Sequence, residues 1–165
     1  MELYVVRHGI AIDREDPKCP PDPERYLTDE GVEKTKGVAK GMAALGIDPG
    51  LFISSPYTRA LQTAEVFADA LDYSRQKIQR SELLLPGAEP TLLYRELARE
   101  RASSIFLFGH APQLDDVIAT ALGAKKRVTS LKKAGVALID LKRISPPMGQ
   151  LVWLAIPRML RRVGK

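Results

Sequence analysis

Three short, uninterrupted apolar runs constrain the fold of this chain more than any other feature. They are the runs beginning "LYVV" at residue 3, "LFIS" at residue 51 and "SIFLF" at residue 104. Apolar runs of this length without polar alternation are typical of strands buried on both faces of a sheet. Apolar residues at helical spacing separate the runs, so the pattern predicts alternating strands and helices around a mostly parallel sheet.

Capping residues predict where the helices begin and end. Ser or Thr favours the N-cap, Pro suits the first helical position, and Gly follows the last turn. On these signals we predict helices from Thr28 to Gly46, from Ser55 and Pro56 onward, over 90–101, and from Pro112 to Gly123.

The remaining segments complete an α/β domain. Two late strands, about 134–141 and 150–156, have no helix between them and should pair antiparallel near a sheet edge. Residues 10–27 contain four prolines within seven positions, which predicts a loop without regular structure. For the basic tail after Pro157, the sequence leaves two alternatives, a last helical turn or disorder. We therefore expect one domain over 1–165, a three-layer α/β/α sandwich with a late antiparallel edge strand.

The net charge of +5 hides an asymmetry. Residues 125–165 hold 11 Lys and Arg against one acid, Asp140, for a charge of +10, and residues 1–124 carry −5. A basic quarter of this kind suits an acidic protein, a lipid surface or nucleic acid, or it is a solvated face. We favour the solvated face and expect no nucleic-acid partner, because aromatic residues are not interleaved with the basic ones.

Compartment and membrane signals are sparse. No run of 18 uncharged apolar residues occurs, which predicts no membrane span, and no signal-peptide pattern opens the chain. The single cysteine, Cys19, has no internal partner and no nearby histidine, so we expect neither a disulfide nor a cysteine nucleophile. A reducing cytoplasm is the expected location.

Polar residues follow each of the three predicted parallel strands. Arg7 and His8 follow the first, Arg59 lies in the helical turn after the second, and His110 follows the third. Ligands bind beyond the carboxyl ends of strands in an open α/β sheet, so these four residues should meet. Two guanidinium groups suit phosphoryl oxygens, one histidine suits attack on phosphorus, and a second stabilises the transferring group.

Other interpretations of these residues are weaker. Each residue alone has an ordinary structural explanation, a satisfied histidine or a surface arginine, but joint placement at three strand ends favours function. Two histidines without a third ligand at fixed spacing do not predict a metal site, and no phosphate-binding glycine loop of the GxxxxGK[ST] type occurs. We expect no metal and no organic cofactor.

Four segments carry a family resemblance. They are "VVRHG" at 5–9, "RYLTDEG" at 25–31, "SSPYTRALQTAE" at 54–65 and "LFGHAP" at 107–112. Together they resemble the histidine phosphatase superfamily, whose fold is phosphoglycerate mutase-like, and most of all its SixA-type phosphohistidine phosphatases. Tyr26 departs from the pattern, since related sequences commonly have a proline there, and we expect it to alter the loop alone.

The resemblance implies a role for each residue. His8 would attack phosphorus and become a phosphohistidine, Arg7 and Arg59 would bind the phosphoryl oxygens, and His110 would stabilise the transferring group. Many relatives also use a carboxylic acid from the segment after the second helix. The candidates here are Glu82 and Glu89, with Asp13 as a weaker third.

Three functional hypotheses follow. The leading one is a phosphatase acting on protein phosphohistidine in bacterial phosphorelay signalling, since an imidazole leaving group needs little help from an acid. The second is a general phosphomonoesterase of the same superfamily, with a mutase disfavoured because no long insertion forms a lid. The third is a non-catalytic phosphoprotein-binding module.

Overall fold

A six-stranded sheet runs through the protein, and the computed structural model describes residues 1–165 around it. The strands are β1 (Glu2–Arg7), β2 (Leu51–Ser54), β3 (Gln79–Arg80), β4 (Ser104–Gly109), β5 (Val136–Arg143) and β6 (Met148–Ala155). The helices are α1 (Asp29–Ala44), α2 (Thr58–Ala70), α3 (Pro90–Leu97), α4 (Gln113–Ala121) and α5 (Pro157–Val163).

The sheet is mixed, as the sequence predicts. Its strand order is β3-β2-β4-β1-β5-β6. The pairs among β1, β4, β2 and β3 are parallel, whereas β5 is antiparallel to both β1 and the edge strand β6. The two-residue strand β3 was not predicted, because Gln79 and Arg80 are exposed and carry no apolar pattern.

Alternation along β1 shows that the sheet separates two cores. Leu3 and Val5 lie in a cluster with residues of α3 and α4, whereas Tyr4 and Val6 lie in a cluster with residues of α1, α2 and α5. Both faces of the central strands are therefore covered, which explains their uninterrupted apolar runs. The predicted three-layer α/β/α sandwich is confirmed.

Strand register aligns the ends of the three parallel strands at one edge. Arg7, the last residue of β1, lies opposite Gly109 of β4, and Ser54, the last residue of β2, lies opposite Phe108. Residues that directly follow these strands consequently project from the same edge of the sheet.

Most predicted helix boundaries are correct, but α2 begins later than predicted. Thr28 caps α1 by accepting a hydrogen bond from the Gly31 amide at 3.0 Å. Ser55 does not cap α2, and Pro56 does not open it, since the helix begins at Thr58. The Ser55 hydroxyl instead accepts from the Tyr57 amide at 3.3 Å within the preceding turn.

Other details also differ from the sequence-based predictions: β5 extends to Arg143, and β6 begins at Met148. Helix α3 ends at Leu97 rather than at residue 101, because none of the next three residues, Ala98, Arg99 and Glu100, is buried. Strand β5 begins at Val136, since Ala134 has a left-handed φ of 58°. The loop over 10–27 does contain regular structure, a 3-10 turn at Asp22–Glu24, where Pro23 supplies a compatible φ.

The basic tail forms α5 and packs against α1. A β-carbon on Gly41 of α1 would lie 2.1 Å from the carbonyl oxygen of Leu160 in α5, so the absence of a side chain permits this close approach. No helix in the protein is both long enough and apolar enough to cross a bilayer.

Candidate active site

The structure brings His8, Arg59 and His110 together beyond the ends of β1, β2 and β4. The ring centroids of His8 and His110 are 5.2 Å apart, and Arg59 Nε lies 3.3 Å from His8 Nε2. All three side chains are buried, with exposed fractions of 8% for His8, 3% for Arg59 and 2% for His110. Arg7 is adjacent in sequence to His8 at the end of β1.

The hydrogen bond of His8 Nδ1 determines its tautomer. Nδ1 lies 2.7 Å from the Gly9 carbonyl oxygen, which can only accept, so Nδ1 carries the proton. Nε2 is therefore the unprotonated nitrogen of the neutral ring, and its lone pair accepts a hydrogen bond from Arg59 Nε. An unprotonated nitrogen of this kind is what nucleophilic attack on phosphorus requires.

Burial keeps both histidines neutral. It lowers the pKa of His8 to about 3, and the Arg59, Arg7 and Lys133 charges act in the same direction against the opposing Gly9 hydrogen bond. Burial likewise lowers the pKa of His110 to about 3, with Arg59 and His8 reinforcing it and Asp22 opposing it. Near neutral pH, His8 is thus a neutral imidazole that carries its one proton on Nδ1.

Arg59 is held by the loop that precedes α1. Its Nη1 donates to the Asp22 carbonyl oxygen at 2.7 Å, and its Nη2 lies 3.4 Å from Asp22 Oδ2. The same carboxylate also pairs with Arg25 at 3.1 Å and Arg14 at 3.3 Å. Asp22 is therefore the acidic group directly in contact with the site, and its pairing fixes the plane of the Arg59 guanidinium.

His110 has one partnered and one unpartnered ring nitrogen. Its Nε2 lies 2.9 Å from the Ser55 hydroxyl, and its Nδ1 is buried without a hydrogen-bond partner. The Tyr57 ring packs edge-on against the imidazole, with centroids 5.3 Å apart. When Ser55 donates to Nε2, Nδ1 carries the proton and becomes a donor suited to a phosphoryl oxygen.

Arg7 is anchored by the loop that precedes β5. Its Nη1 donates to the Leu131 carbonyl oxygen at 2.7 Å, and its Nε is buried without a partner. The Leu131 amide in turn donates to the Asp115 carboxylate at 3.0 Å, which ties this segment to α4. Arg7 thus retains donor capacity while its position is fixed.

Gly9 allows the main chain to pass close to α1 and α2. A β-carbon there would lie 2.4 Å from Thr35 Oγ1, so any larger residue would displace the segment that carries His8. The Gly9 amide donates to Thr63 Oγ1 at 3.0 Å, and the Thr63 hydroxyl donates to the Arg59 carbonyl oxygen at 2.7 Å. Thr63 therefore connects the His8 and Arg59 segments.

The three carboxylic acid candidates lie in different surroundings. Glu89 is the N-cap of α3, where its carboxylate accepts from the Thr91 amide and hydroxyl. Asp13 is exposed and accepts from the Glu15 amide in its own loop. Glu82 is exposed in a 3-10 turn that follows β3, at the carboxyl edge of the sheet, and forms no ion pair.

Sequence reasoning missed three residues in contact with the site: Asp22, Ser55 and Thr63. Asp22 lies in a proline-rich loop whose path no local pattern predicts. The sequence indicates a helix cap at Ser55 and carries no signal that marks Thr63. Their hydrogen-bond partners are distant in sequence, so only the folded chain identifies them.

Comparisons with known proteins identify the family of this chain. A family model, the histidine phosphatase superfamily (branch 1), matches residues 3–84. An uncharacterized protein of Picosynechococcus sp. PCC 7002 is 36% identical over 140 residues, which cover 82% of each chain. The mitochondrial serine/threonine-protein phosphatase Pgam5 of Drosophila persimilis is 31% identical over 86 residues, covering 52% of this chain and 28% of that protein.

A solved structure shows the same fold. The protein histidine phosphatase SixA, complexed with tungstate, superposes with a TM-score of 0.85 at 22% identity, covering 97% of this chain and 99% of that one. At this identity the match shows a shared fold, and the family match assigns the protein to the phosphatases. The chain belongs to the histidine phosphatase superfamily, as the four sequence segments predicted.

Proposed function

We propose that the protein removes the phosphoryl group from protein phosphohistidine through a covalent intermediate on His8. One observation supports this above others: the Gly9 carbonyl oxygen holds the proton on His8 Nδ1 and leaves the Nε2 lone pair beside Arg59. Arg7 and Arg59 would bind the phosphoryl oxygens, and His110 would donate to them from Nδ1.

In the first step, the lone pair of His8 Nε2 attacks phosphorus. The bond between phosphorus and the substrate imidazole breaks, and its electron pair returns to the substrate nitrogen. Because the substrate ring takes a proton on its other nitrogen near neutral pH, it leaves as neutral imidazole. The product on the enzyme is a phosphoimidazolium, since His8 keeps the Nδ1 proton that it donates to Gly9.

In the second step, water attacks the phosphorus of this intermediate. The bond from phosphorus to His8 Nε2 breaks, and its electron pair returns to the ring, which is neutral again. The proton from water passes to the phosphate product or to solvent. Arg7, Arg59 and His110 stabilise the equatorial oxygens in both steps, so the protein supplies positioning and charge compensation.

The surroundings of the site favour a nitrogen leaving group. The acid in direct contact with it is Asp22. Burial alone would raise the pKa of this carboxyl, but the Arg25 hydrogen bond and the Arg59 and Arg14 charges lower it overall. An ionised carboxylate has no proton to give to an alkoxide, whereas imidazole requires none from the enzyme.

The test compares wild type with the His8→Ala variant. A phosphotransfer domain phosphorylated on histidine with phosphoramidate should lose its phosphoryl group with wild type and with the Arg99→Ala control, and not with His8→Ala. Rapid quenching in alkali should trap an acid-labile phosphoenzyme in wild type and in the Arg99→Ala control, and none in His8→Ala. Full activity of His8→Ala would overturn the proposal, and binding of the phosphoprotein without turnover would indicate a non-catalytic module.

A second candidate function is hydrolysis of ordinary phosphomonoesters. It is favoured by the partial match to Pgam5, whose name is that of a serine/threonine-protein phosphatase, and by the position of Glu82 at the carboxyl edge of the sheet. The ratio of kcat/KM on the phosphohistidine protein to that on phosphoserine and p-nitrophenyl phosphate decides between them. A ratio well above one supports phosphohistidine, and a ratio below one supports the ester.

We infer that residues 1–165 act as one domain on a protein of a bacterial phosphorelay in the cytoplasm. The resemblance to SixA-type enzymes and the single cysteine support this inference. Accumulation of phosphohistidine on one protein after deletion of the gene would identify the partner.

A further inference from the structure

A cavity of about 560 Å³ with a strongly basic lining adjoins the site. Six of its lining residues are cationic and none is acidic. The cationic residues are Arg7, Lys34, Lys132, Lys133, Arg158 and Arg161. We call it the basic cavity; His8, Arg59 and His110 do not line it.

Most of these cations have no acidic partner in the protein. Lys34 pairs with Glu30, whereas Lys132, Lys133, Arg158 and Arg161 form no ion pair. Unpaired like charges around one cavity repel each other, so an anionic partner would relieve that repulsion.

The walls of the cavity are fixed by helix packing. Helix α5 lies against α1, and a β-carbon on Gly37 would lie 3.0 Å from Arg161 Cγ, so the stem of Arg161 rests on the surface of α1. The other contributors are mainly aliphatic, including Ile10, Ala134, Ile156 and Pro157. The cavity therefore combines an aliphatic surface with exposed cationic groups.

The basic cavity lies next to the edge of the sheet that carries His8. Arg7 lines the cavity and precedes His8. The Ala134 amide donates to the carbonyl oxygens of Arg7 at 3.0 Å and His8 at 3.1 Å. A group bound in the cavity would thus lie beside a phosphoryl group held at His8.

We propose that the basic cavity binds acidic side chains that flank the phosphohistidine of the protein substrate. This inference rests on the proposed function and names a feature of the substrate. Lys132, Lys133, Arg158 and Arg161 are all exposed, which suits carboxylates on another protein's surface. A second phosphate of a small molecule would instead call for buried donors that converge on one point.

The test reverses two charges on α5, away from His8. We compare wild type with Arg158→Glu/Arg161→Glu, and use Lys125→Glu/Lys126→Glu as a control with the same charge change outside the cavity. The substrates are an acidic phosphotransfer domain phosphorylated on histidine and free N-phosphohistidine. We expect kcat/KM on the domain to fall about tenfold through KM in the α5 variant and to lose its salt dependence. Activity on free phosphohistidine should stay within about twofold of wild type.

A binding measurement separates this inference from the proposed function. Calorimetry with the unphosphorylated domain should show weaker binding to the α5 variant than to the control, whether or not turnover occurs. Equal losses on both substrates, or equal binding by both variants, would overturn docking at the basic cavity. Absence of turnover by wild type would overturn the proposed function alone.

Discussion

Arg59 Nε donates a hydrogen bond to His8 Nε2 across 3.3 Å. The guanidinium therefore lies directly beside the imidazole nitrogen that would attack phosphorus. The two residues come from different elements, α2 and the end of β1, and the Thr63 hydroxyl connects their main chains. A phosphoryl group between them would accept from Arg59 while its phosphorus faces Nε2. We therefore propose that the phosphoryl group binds between these two residues.

Asp22 should compete with that phosphoryl group for Arg59. Its carboxylate lies 3.4 Å from Arg59 Nη2, so a phosphate bound there is adjacent to a negative charge. In the Asp22→Asn variant, we expect the inhibition constant of orthophosphate to fall about threefold, the size typical of an exposed charge pair. Inhibition assays measure this, with Asp16→Asn of the same loop as control. Weaker phosphate binding in Asp22→Asn would mean that Asp22 chiefly positions Arg59.

Ser55 should act as a positioning residue for His110. Loss of its hydroxyl leaves both ring nitrogens of His110 without a partner, so the tautomer with a proton on Nδ1 is no longer favoured. We expect kcat of Ser55→Ala to fall about tenfold with little change in KM. Nitrogen NMR of His110 should show mixed tautomers, and Ser54→Ala, a buried neighbour, should show neither effect. An unchanged tautomer would contradict the role.

The two buried histidines should make stability depend on pH. The pKa of each is about 3 in the folded protein, against 6.5 when unfolded. As pH falls from 6.5 toward 3, the unfolded state takes up protons that the folded state does not, so the free energy of unfolding decreases. The expected slope is about 1.4 kcal/mol per pH unit for each histidine.

Urea unfolding between pH 7 and pH 4 measures this slope. The His8→Gln/His110→Gln variant should show a smaller decrease in that window than wild type, whatever its stability at pH 7. The comparison rests on slopes, so a general loss of stability in the variant does not affect it. Parallel curves for the two proteins would show that these histidines do not titrate as their burial indicates.

Local pattern and strand order accounted for much of the fold and for the cluster at its edge. Uninterrupted apolar runs predicted β1, β2 and β4, because both faces of those strands are buried. Since parallel strands end at a common edge, the residues that follow them were expected to meet, and His8, Arg59 and His110 do.

The site residues that the sequence did not predict depend on contacts between distant segments. Asp22 reaches Arg59 across 37 positions, and Ser55 reaches His110 across 55, distances over which no local pattern carries information. Ser55 also shows how a correct local preference misleads. Ser before Pro is a typical helix start, but here its hydroxyl faces His110, and the helix begins three residues later.

Glu82 and Glu89 should differ in their effect on activity, and Glu82 should separate the two substrate classes. Glu89 caps α3, so Glu89→Ala should lower stability by about 1 kcal/mol and leave activity intact. Glu82 is exposed at the carboxyl edge of the sheet and free of ion pairs, so no other group in the protein binds its carboxyl.

If the enzyme acts on phosphohistidine, Glu82→Gln should retain kcat on that substrate within about twofold, because neutral imidazole leaves without a proton from the enzyme. Its residual activity on an alkyl phosphate such as phosphoserine should fall at least tenfold, since an alkoxide requires that proton. Steady-state assays of both substrates with one enzyme preparation give the ratio directly. Equal losses on both would show that Glu82 supports the site without acting as an acid, and a loss confined to phosphohistidine would contradict the chemistry proposed for His8.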